Sequence, residues 1–218
     1  MSQRTPSHSI RVLLVDDHAI VREGYRRLLE RDPTIEVVGE AGDAQAAYLA
    51  FQALGPDLVV MDISLPGASG IDALRRIVAR VPQARILMFS MHEEGIFAQR
   101  AFQAGARGYV TKASAPDTLV EAVHRVAAGE RYIGPDMAQT IALQSIGGDE
   151  GVFDTLSARE FEVMRLILAG ASLSEIAAQL RLSYKTVANQ QSLIRQKLGV
   201  QTQLQLMQLA ARHGVGRP

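Results

Sequence analysis

The chain has 218 residues, a formal net charge of zero and no cysteine, which excludes disulfides, thiolate metal sites and a cysteine nucleophile. The zero net charge hides an asymmetry: residues 1–152 carry 15 Lys/Arg against 19 Asp/Glu, and residues 153–218 carry 8 against 4. A basic part joined to an acidic part indicates a nucleic-acid module attached to another domain.

Apolar runs such as residues 58–61 are too short to span a bilayer, and the N-terminus MSQRTPSHS lacks the apolar core of a secretory signal. We therefore expect a cytoplasmic protein that makes no membrane contact.

Short apolar runs alternate with segments of helical spacing in the first part of the chain. Five runs are predicted to be strands: 10–15, 35–41, 57–61, 84–89 and 106–110. Helices are predicted around Val21 to Leu29 and at 43–54, 70–80, 94–104 and 115–128. This alternation predicts an α/β fold with a five-stranded, doubly wound parallel sheet.

The segment after the last predicted strand and helix is expected to join two domains. Residues 134–146 are predicted to form one further helix with Pro135 at its start, and the polar stretch 147–151 is predicted to be a linker. We divide the chain into a first domain over 9–130, a helix and linker over 131–152, and a second domain over 153–215.

The second domain is predicted to be entirely helical. Ser157 with Glu160, and Ser172 with Glu175, match the capping box that opens a helix, and Gly170 is placed to end the first one. A three-residue turn, 181–183, separates the helix over 172–180 from a longer helix over 184–198, and a last helix is predicted over 202–212.

Polar residues stand at the ends of four predicted strands. Asp16 and Asp17 follow the first strand, Asp62 follows the third, Ser90 ends the fourth and Lys112 follows the fifth. Ligands bind at this edge of parallel sheets, so we expect these side chains to converge there. Three crowded carboxylates call for a hard divalent cation such as Mg²⁺, and an Asp that attacks phosphorus forms an acyl phosphate.

These residues resemble the receiver domain of bacterial two-component response regulators, through LLVDDH (13–18), VVMDISLPGASGID (59–72), FSMHEE (89–94) and GYVTKAS (108–114). The resemblance implies a flavodoxin-like fold and a phosphoryl group accepted from a histidine kinase on Asp62. It implies that Mg²⁺ is held by Asp16, Asp17, Asp62 and the Ser64 carbonyl. Lys112 and Ser90 would contact phosphoryl oxygens, and Tyr109 matches the aromatic switch position.

This chain departs from the usual receiver pattern directly after the lysine, where Ala113 replaces the proline of many members. Ser64 and His92 occupy positions that, in the family, flank the phosphoryl group. We expect His92 to be an exposed loop residue.

Residues 156–200 resemble the LuxR-type helix-turn-helix of the NarL/FixJ response regulators, through Leu156-Ser157, Glu175-Ile176-Ala177, Lys185-Thr186-Val187 and Lys197-Leu198-Gly199-Val200. The resemblance implies that the helix over 184–198 lies in the major groove of DNA. Spacing predicts that Val187, Ile194 and Leu198 face the domain core. Candidate DNA contacts are Lys185, Thr186, Ala188, Asn189, Ser192, Arg195 and Lys197.

The expected function is therefore phosphorylation-dependent control of promoter DNA binding, with a homodimer formed on phosphorylation, and not an enzyme activity beyond the phosphoacceptor chemistry. Members of this family often carry basic residues around Ala188 and Ser192 and a histidine at the position of Gln190, so we expect weak DNA binding by a monomer.

Two alternatives remain. A phosphatase would use Asp62 as nucleophile, but the haloacid-dehalogenase phosphatases need a second Asp where this chain has Ser64. A module that binds only proteins would explain the neutral residues at 188, 189 and 192.

Overall fold

The computed structural model describes residues 9–146, 151–153 and 155–213, so residues 147–150 of the predicted linker 147–151 lie outside the described part of the chain. The chain divides into two compact units between residues 142 and 143, inside the segment predicted to join the domains. In the part of the chain that is described, no helix combines the length and apolar character needed to cross a bilayer.

The first unit is built on a parallel sheet with strand order β2-β1-β3-β4-β5-β6. Its strands are β1 (Ile10–Val15), β2 (Ile35–Ala41), β3 (Leu58–Met61), β4 (Ile86–Ser90), β5 (Gly108–Thr111) and β6 (Tyr132–Ile133). The helices are α1 (Ala19–Leu29), α2 (Ala44–Leu54), α3 (Gly70–Arg80), α4 (Gly95–Gln103) and α5 (Pro116–Ala127). A further helix, α6 (Pro135–Ile146), begins in this unit and contains the boundary at residues 142 and 143. Strands β3, β4 and β5 are buried along their whole length, as continuous apolar runs in a covered parallel sheet should be.

The predicted count of five strands is wrong, because β6 pairs with β5 in parallel. Tyr132 lies opposite Gly108, and Ile133 lies opposite Tyr109. Two backbone hydrogen bonds extend the pairing, from the Tyr132 amide to the Arg107 carbonyl (3.0 Å) and from the Gly134 amide to the Tyr109 carbonyl (2.8 Å). A strand of two residues has no alternation that a pattern search can detect, and tertiary pairing alone forms it.

One face of the sheet packs against α1 and α5. The core on this side contains Leu29 of α1 and Leu119 and Val123 of α5, together with alternate residues of the strands. Because successive strand residues point to opposite faces, the other residues of β1 and β3 face the helices on the opposite side. The strand order reverses at β1, which leaves a crevice between the carboxyl ends of β1 and β3 where ligands bind in such sheets.

The second unit contains α7 (Ala158–Leu168), α8 (Leu173–Gln179), α9 (Tyr184–Leu198) and α10 (Gln203–Arg212). Both predicted capping boxes are present, with Ser157 and Glu160 opening α7 and Ser172 and Glu175 opening α8. Gly170 has φ +86°, the left-handed conformation that ends α7 at low cost. The core of this unit includes Phe161, Met164, Ile176, Val187, Ile194 and Leu206.

Alanine substitutions at two glycines of the first unit should change the free energy of unfolding in opposite directions. A Cβ at Gly70 would lie 1.8 Å from the Asp62 carbonyl oxygen, so G70A must push α3 away from β3. We expect it to lower the free energy of unfolding by about 1–3 kcal/mol, the usual cost of overpacking. Gly24 is exposed within α1 with open space around it, so G24A should raise that free energy by roughly 0.5–1 kcal/mol. Calorimetric unfolding of the full chain measures both, and shifts of equal sign would contradict this packing.

Asp32 should make the free energy of unfolding of the first unit depend on pH. Its carboxylate accepts hydrogen bonds from Thr34 and, at 2.8 Å, contacts Nε2 of His124 on α5; these contacts lower the pKa of Asp32 to about 2. The stabilisation is complete above the ordinary pKa of the carboxyl and is lost as pH falls towards 2. The difference in melting temperature between the wild type and D32N should therefore shrink between about pH 6 and about pH 3. A melting-temperature difference that stays constant over this pH range would show that Asp32 does not make stability depend on pH.

Candidate functional site

The carboxyl ends of four neighbouring strands bring together the polar residues predicted from the sequence. Asp16 directly follows β1, Asp62 directly follows β3, Ser90 is the last residue of β4 and Lys112 directly follows β5. The amide of Asp62 donates to the Val15 carbonyl (2.9 Å), which fixes the ends of β1 and β3 side by side. Asp16 is 2% exposed and Asp62 is 5% exposed, so these charges lie in a nearly closed pocket.

Lys112 joins the two buried carboxylates. Its Nζ lies 2.5 Å from Oδ2 of Asp16 and 2.6 Å from Oδ2 of Asp62. Burial lowers the pKa of Lys112, but the charge of Asp62 and the hydrogen bonds to both carboxylates raise it by more, so its pKa lies above the ordinary value. The lysine therefore stays charged and stands between the two acidic side chains as their shared counter-ion.

The acidic residues fit a divalent cation. Asp16, Asp17 and His18 each offer a ligand atom, and these atoms lie within 4.8 Å of one another. Lys112 offsets one of the three charges of Asp16, Asp17 and Asp62, and the two that remain equal the charge of Mg²⁺, which prefers carboxylate oxygen. The sequence analysis did not single out His18, although it stands next to the acidic pair; its Nδ1 lies 2.7 Å from Oδ1 of Asp17.

Ser64 and His92 contact each other beside Asp62. The Ser64 amide lies 3.3 Å from Oδ1 of Asp62, and its Oγ lies 3.0 Å from Nε2 of His92. The prediction that His92 is exposed is wrong, because the residue is only 4% exposed. Its ring stacks on Phe97 of α4, with 3.9 Å between centroids and 18° between planes. This stacking is a tertiary contact with the helix that follows the loop, and the loop sequence alone does not reveal it.

Ser90 and Tyr109 meet at the backbone of His92. The His92 amide donates to Oγ of Ser90 (3.4 Å), and the Tyr109 hydroxyl donates to the His92 carbonyl (2.8 Å). Tyr109 is fully buried and thus occupies an inward position, and burial raises the pKa of its hydroxyl. The Lys112 amide also donates to the Ser90 carbonyl (2.8 Å), so the ends of β4 and β5 are linked. The Lys112–Ala113 peptide bond is trans, like the others described.

Helix α9 buries one side and exposes the other. Val187 and Ile194 are fully buried, as predicted, and Leu198 is half-buried. The exposed residues include four of the predicted DNA contacts, Lys185, Asn189, Ser192 and Lys197, while Thr186, Ala188 and Arg195 are half-buried. The Ser192 hydroxyl donates to the Ala188 carbonyl (3.1 Å), and Thr186 takes part in the cap that Ser183 forms on α9.

Lys197 forms an ion pair within the second unit. Its Nζ lies 2.6 Å from Oε2 of Glu160, which also accepts from the Ser157 amide in the capping box of α7. Burial raises the pKa of Glu160, but Lys197 and Ser157 lower it by more, so its pKa lies below the ordinary value. This pair ties the end of α9 to the start of α7. Lys185 and Lys197 are both exposed, and Lys197 differs in that its ammonium is paired with Glu160.

Both halves of the chain match known protein families. Residues 12–124 match the response regulator receiver domain, and residues 154–210 match the bacterial regulatory proteins of the luxR family. Response regulator UvrY of Escherichia coli (strain K12) is 41% identical over 208 residues, covering 94% of this chain and 95% of that protein.

Solved structures agree with these matches. A LuxR-family two-component response regulator from Aurantimonas sp. SI85-9A1 is 53% identical, with a TM-score of 0.62, over 63% of this chain and 99% of that one. The RcsB response regulator of Salmonella typhimurium is 28% identical, with a TM-score of 0.61, over 94% and 99%. An RcsB–DNA complex is 27% identical, with a TM-score of 0.59, over 94% and 98%. The chain therefore belongs to the two-component response regulators that combine a receiver domain with a LuxR-type helix-turn-helix, and is a phosphorylation-dependent transcriptional regulator.

Proposed function

We propose that Asp62 accepts a phosphoryl group from a histidine kinase and that this reaction controls binding of promoter DNA by the second unit. The observation that carries the proposal is the bridge that Lys112 makes between Asp16 and Asp62 at the ligand-binding edge of the sheet. We assign the receiver to residues 9–130, the connecting helix and linker to 131–152, and the DNA-binding domain to 153–215. The protein would act in the cytoplasm, where promoter DNA lies.

The pocket supports phosphoryl transfer in the following way. A carboxylate oxygen of Asp62 attacks phosphorus while the bond to the donor histidine breaks, which yields an acyl phosphate. Lys112, whose ammonium already contacts Asp62, pairs with an oxygen of the new phosphoryl group. The proposed cation ligands are Asp16, Asp17, Asp62 and the Ser64 carbonyl. Mg²⁺ bound there would neutralise the carboxylates and contact phosphoryl oxygens.

Ser90 and Tyr109 provide a route from the pocket to the surface of the receiver. In our proposal the Ser90 hydroxyl turns to the phosphoryl group. The His92 amide then loses its hydrogen-bond acceptor, which is the Ser90 hydroxyl. The His92 carbonyl accepts a hydrogen bond from the Tyr109 hydroxyl. A change at Ser90 therefore also affects the contacts that position Tyr109 and the loop before α4. Phosphorylation then shifts an equilibrium between two receiver conformations.

The second unit would read DNA with α9. Lys185 is proposed to contact a phosphate and Asn189 to pair with adenine in the major groove, while Thr186, Ala188, Ser192, Arg195 and Lys197 complete the proposed interface. Such a sparsely charged face should bind weakly as a monomer. The exposed Leu204 and Met207 of α10 support a homodimer contact that would present two such faces to one operator.

Asp62 is the first residue to test. We expect D62N to abolish phosphorylation by a small-molecule phosphodonor and to remove the phosphodonor-dependent gain in promoter binding, because the nucleophilic carboxylate is gone. D72N, which changes an exposed carboxylate on α3, should behave as the wild type. Phosphate-affinity gels and gel shifts against genomic fragments measure the two effects. A D62N protein that still responds contradicts the proposal, and a phosphorylated wild type that binds no fragment favours a protein-binding module.

Lys185 should account for part of the salt dependence of DNA binding. Loss of one phosphate contact flattens the slope of log affinity against log salt by about 0.9. We therefore expect K185Q to weaken binding to all sequences and to reduce the slope by about 0.9 for each subunit bound to the operator. R212Q removes a positive charge from an exposed position on α10 and should leave the slope unchanged. Equal slopes for K185Q and the wild type would remove Lys185 from the interface.

A further inference from the structure

Asp16 is held by four groups from different parts of the first unit. Its amide donates to the Ala41 carbonyl of β2 (3.1 Å), and its carboxylate contacts Lys112 and accepts from the His18 amide (2.8 Å). The fourth group is Arg22 on α1, whose Nη1 donates to the backbone carbonyl of Asp16. This last contact involves a residue that has no part in the phosphotransfer chemistry described above.

The carbonyl of Asp16 belongs to the peptide bond that leads to Asp17. Because that peptide group is planar, fixing the direction of the carbonyl also fixes the direction in which the chain enters Asp17. The Asp17 side chain leaves from the next Cα and lies within the cluster of candidate cation ligands. A group that holds the Asp16 carbonyl therefore restricts where the Asp17 Cα lies, and with it the region that the Asp17 carboxylate can reach, without touching that carboxylate.

Arg22 is itself held in place. Its Nε donates to Oε2 of Glu40 on β2 (3.0 Å), so one planar guanidinium bridges a side-chain oxygen and a backbone oxygen. Arg26, one turn further along α1, donates to the other oxygen of Glu40 (2.7 Å) and braces that carboxylate. The Arg22 side chain is only 17% exposed, which further restricts its movement. Lysine cannot reproduce such a fork, because its ammonium is a single point charge.

We infer that Arg22 is a positioning residue for the divalent-cation site, which it serves by holding the Asp16–Asp17 peptide against Glu40. The inference rests on the proposed Mg²⁺ site at Asp16, Asp17 and Asp62. The direction in which cation affinity changes when Arg22 is removed distinguishes an effect of geometry from an effect of charge. A positive group near the site repels a cation, so removing Arg22 would strengthen cation binding if its charge were the main influence, whereas loss of positioning weakens it.

The test measures Mg²⁺ binding to the full chain by isothermal titration calorimetry. Supporting groups outside the ligand set contribute roughly 10–100-fold to metal affinity, so R22M should raise the Mg²⁺ dissociation constant by about tenfold or more. R22K, which keeps the charge and loses the fork, should also weaken binding, but less. R27M on the same helix removes an exposed arginine paired with Glu23 and should leave Mg²⁺ binding unchanged. Far-UV circular dichroism checks that each variant is folded.

A second measurement separates positioning from general damage. Phosphorylation of R22M by acetyl phosphate should be slow at limiting Mg²⁺ and should return to the wild-type rate at saturating Mg²⁺, because Arg22 acts only through the cation site. Unchanged or tighter Mg²⁺ binding by R22M and R22K, or slow phosphorylation that Mg²⁺ does not restore, would overturn the inference. If the wild type binds no Mg²⁺, the proposed cation site fails as well, whereas normal wild-type binding with unaffected variants rejects the role of Arg22 alone.

Discussion

Repulsion among carboxylates at one edge of a parallel sheet is the constraint on which the first unit depends. Asp16 and Asp62 are almost fully buried, and two buried anions are costly unless a cation lies between them. Lys112 meets this need from the end of β5, which places its ammonium on both acids. The strand order, the buried apolar strands and the pairing of β1 with β3 all serve to bring this lysine and these acids to one place.

The same pocket connects with the rest of the receiver through backbone groups. Ser90 receives the His92 amide, Tyr109 donates to the His92 carbonyl, and the Lys112 amide donates to Ser90. These bonds join the ends of β4 and β5 and the loop before α4. A change in the charge or hydrogen bonding of the pocket therefore reaches neighbouring elements through short, directional contacts, whereas the apolar core beneath them is close-packed and resists deformation.

Sequence patterns predicted most of this architecture, because buried strands have short runs of apolar residues and helices have apolar residues every three or four positions. The convergence of Asp16, Asp62, Ser90 and Lys112 was also predictable, since each stands at a strand end. What the patterns missed depends on tertiary contacts: the two-residue strand β6, the stacking of His92 on Phe97, and the hold of Arg22 on the Asp16 carbonyl. Sequence alone could not predict the ion pair of Lys197 with Glu160, because a lysine on a helix suits an acidic side chain as well as a DNA phosphate.

The sparse positive charge of α9 has a consequence for how this protein behaves among the many sites of a chromosome. Attraction to arbitrary DNA comes almost entirely from neutralised phosphates, and here Lys185 lies on the exposed side of α9 while Lys197 is paired with Glu160. If α9 contacts DNA as proposed, bulk DNA would sequester a smaller share of the molecules than it would with a strongly basic helix. More of the population would then stay free in solution, and promoter occupancy would follow the supply of the activated form more closely.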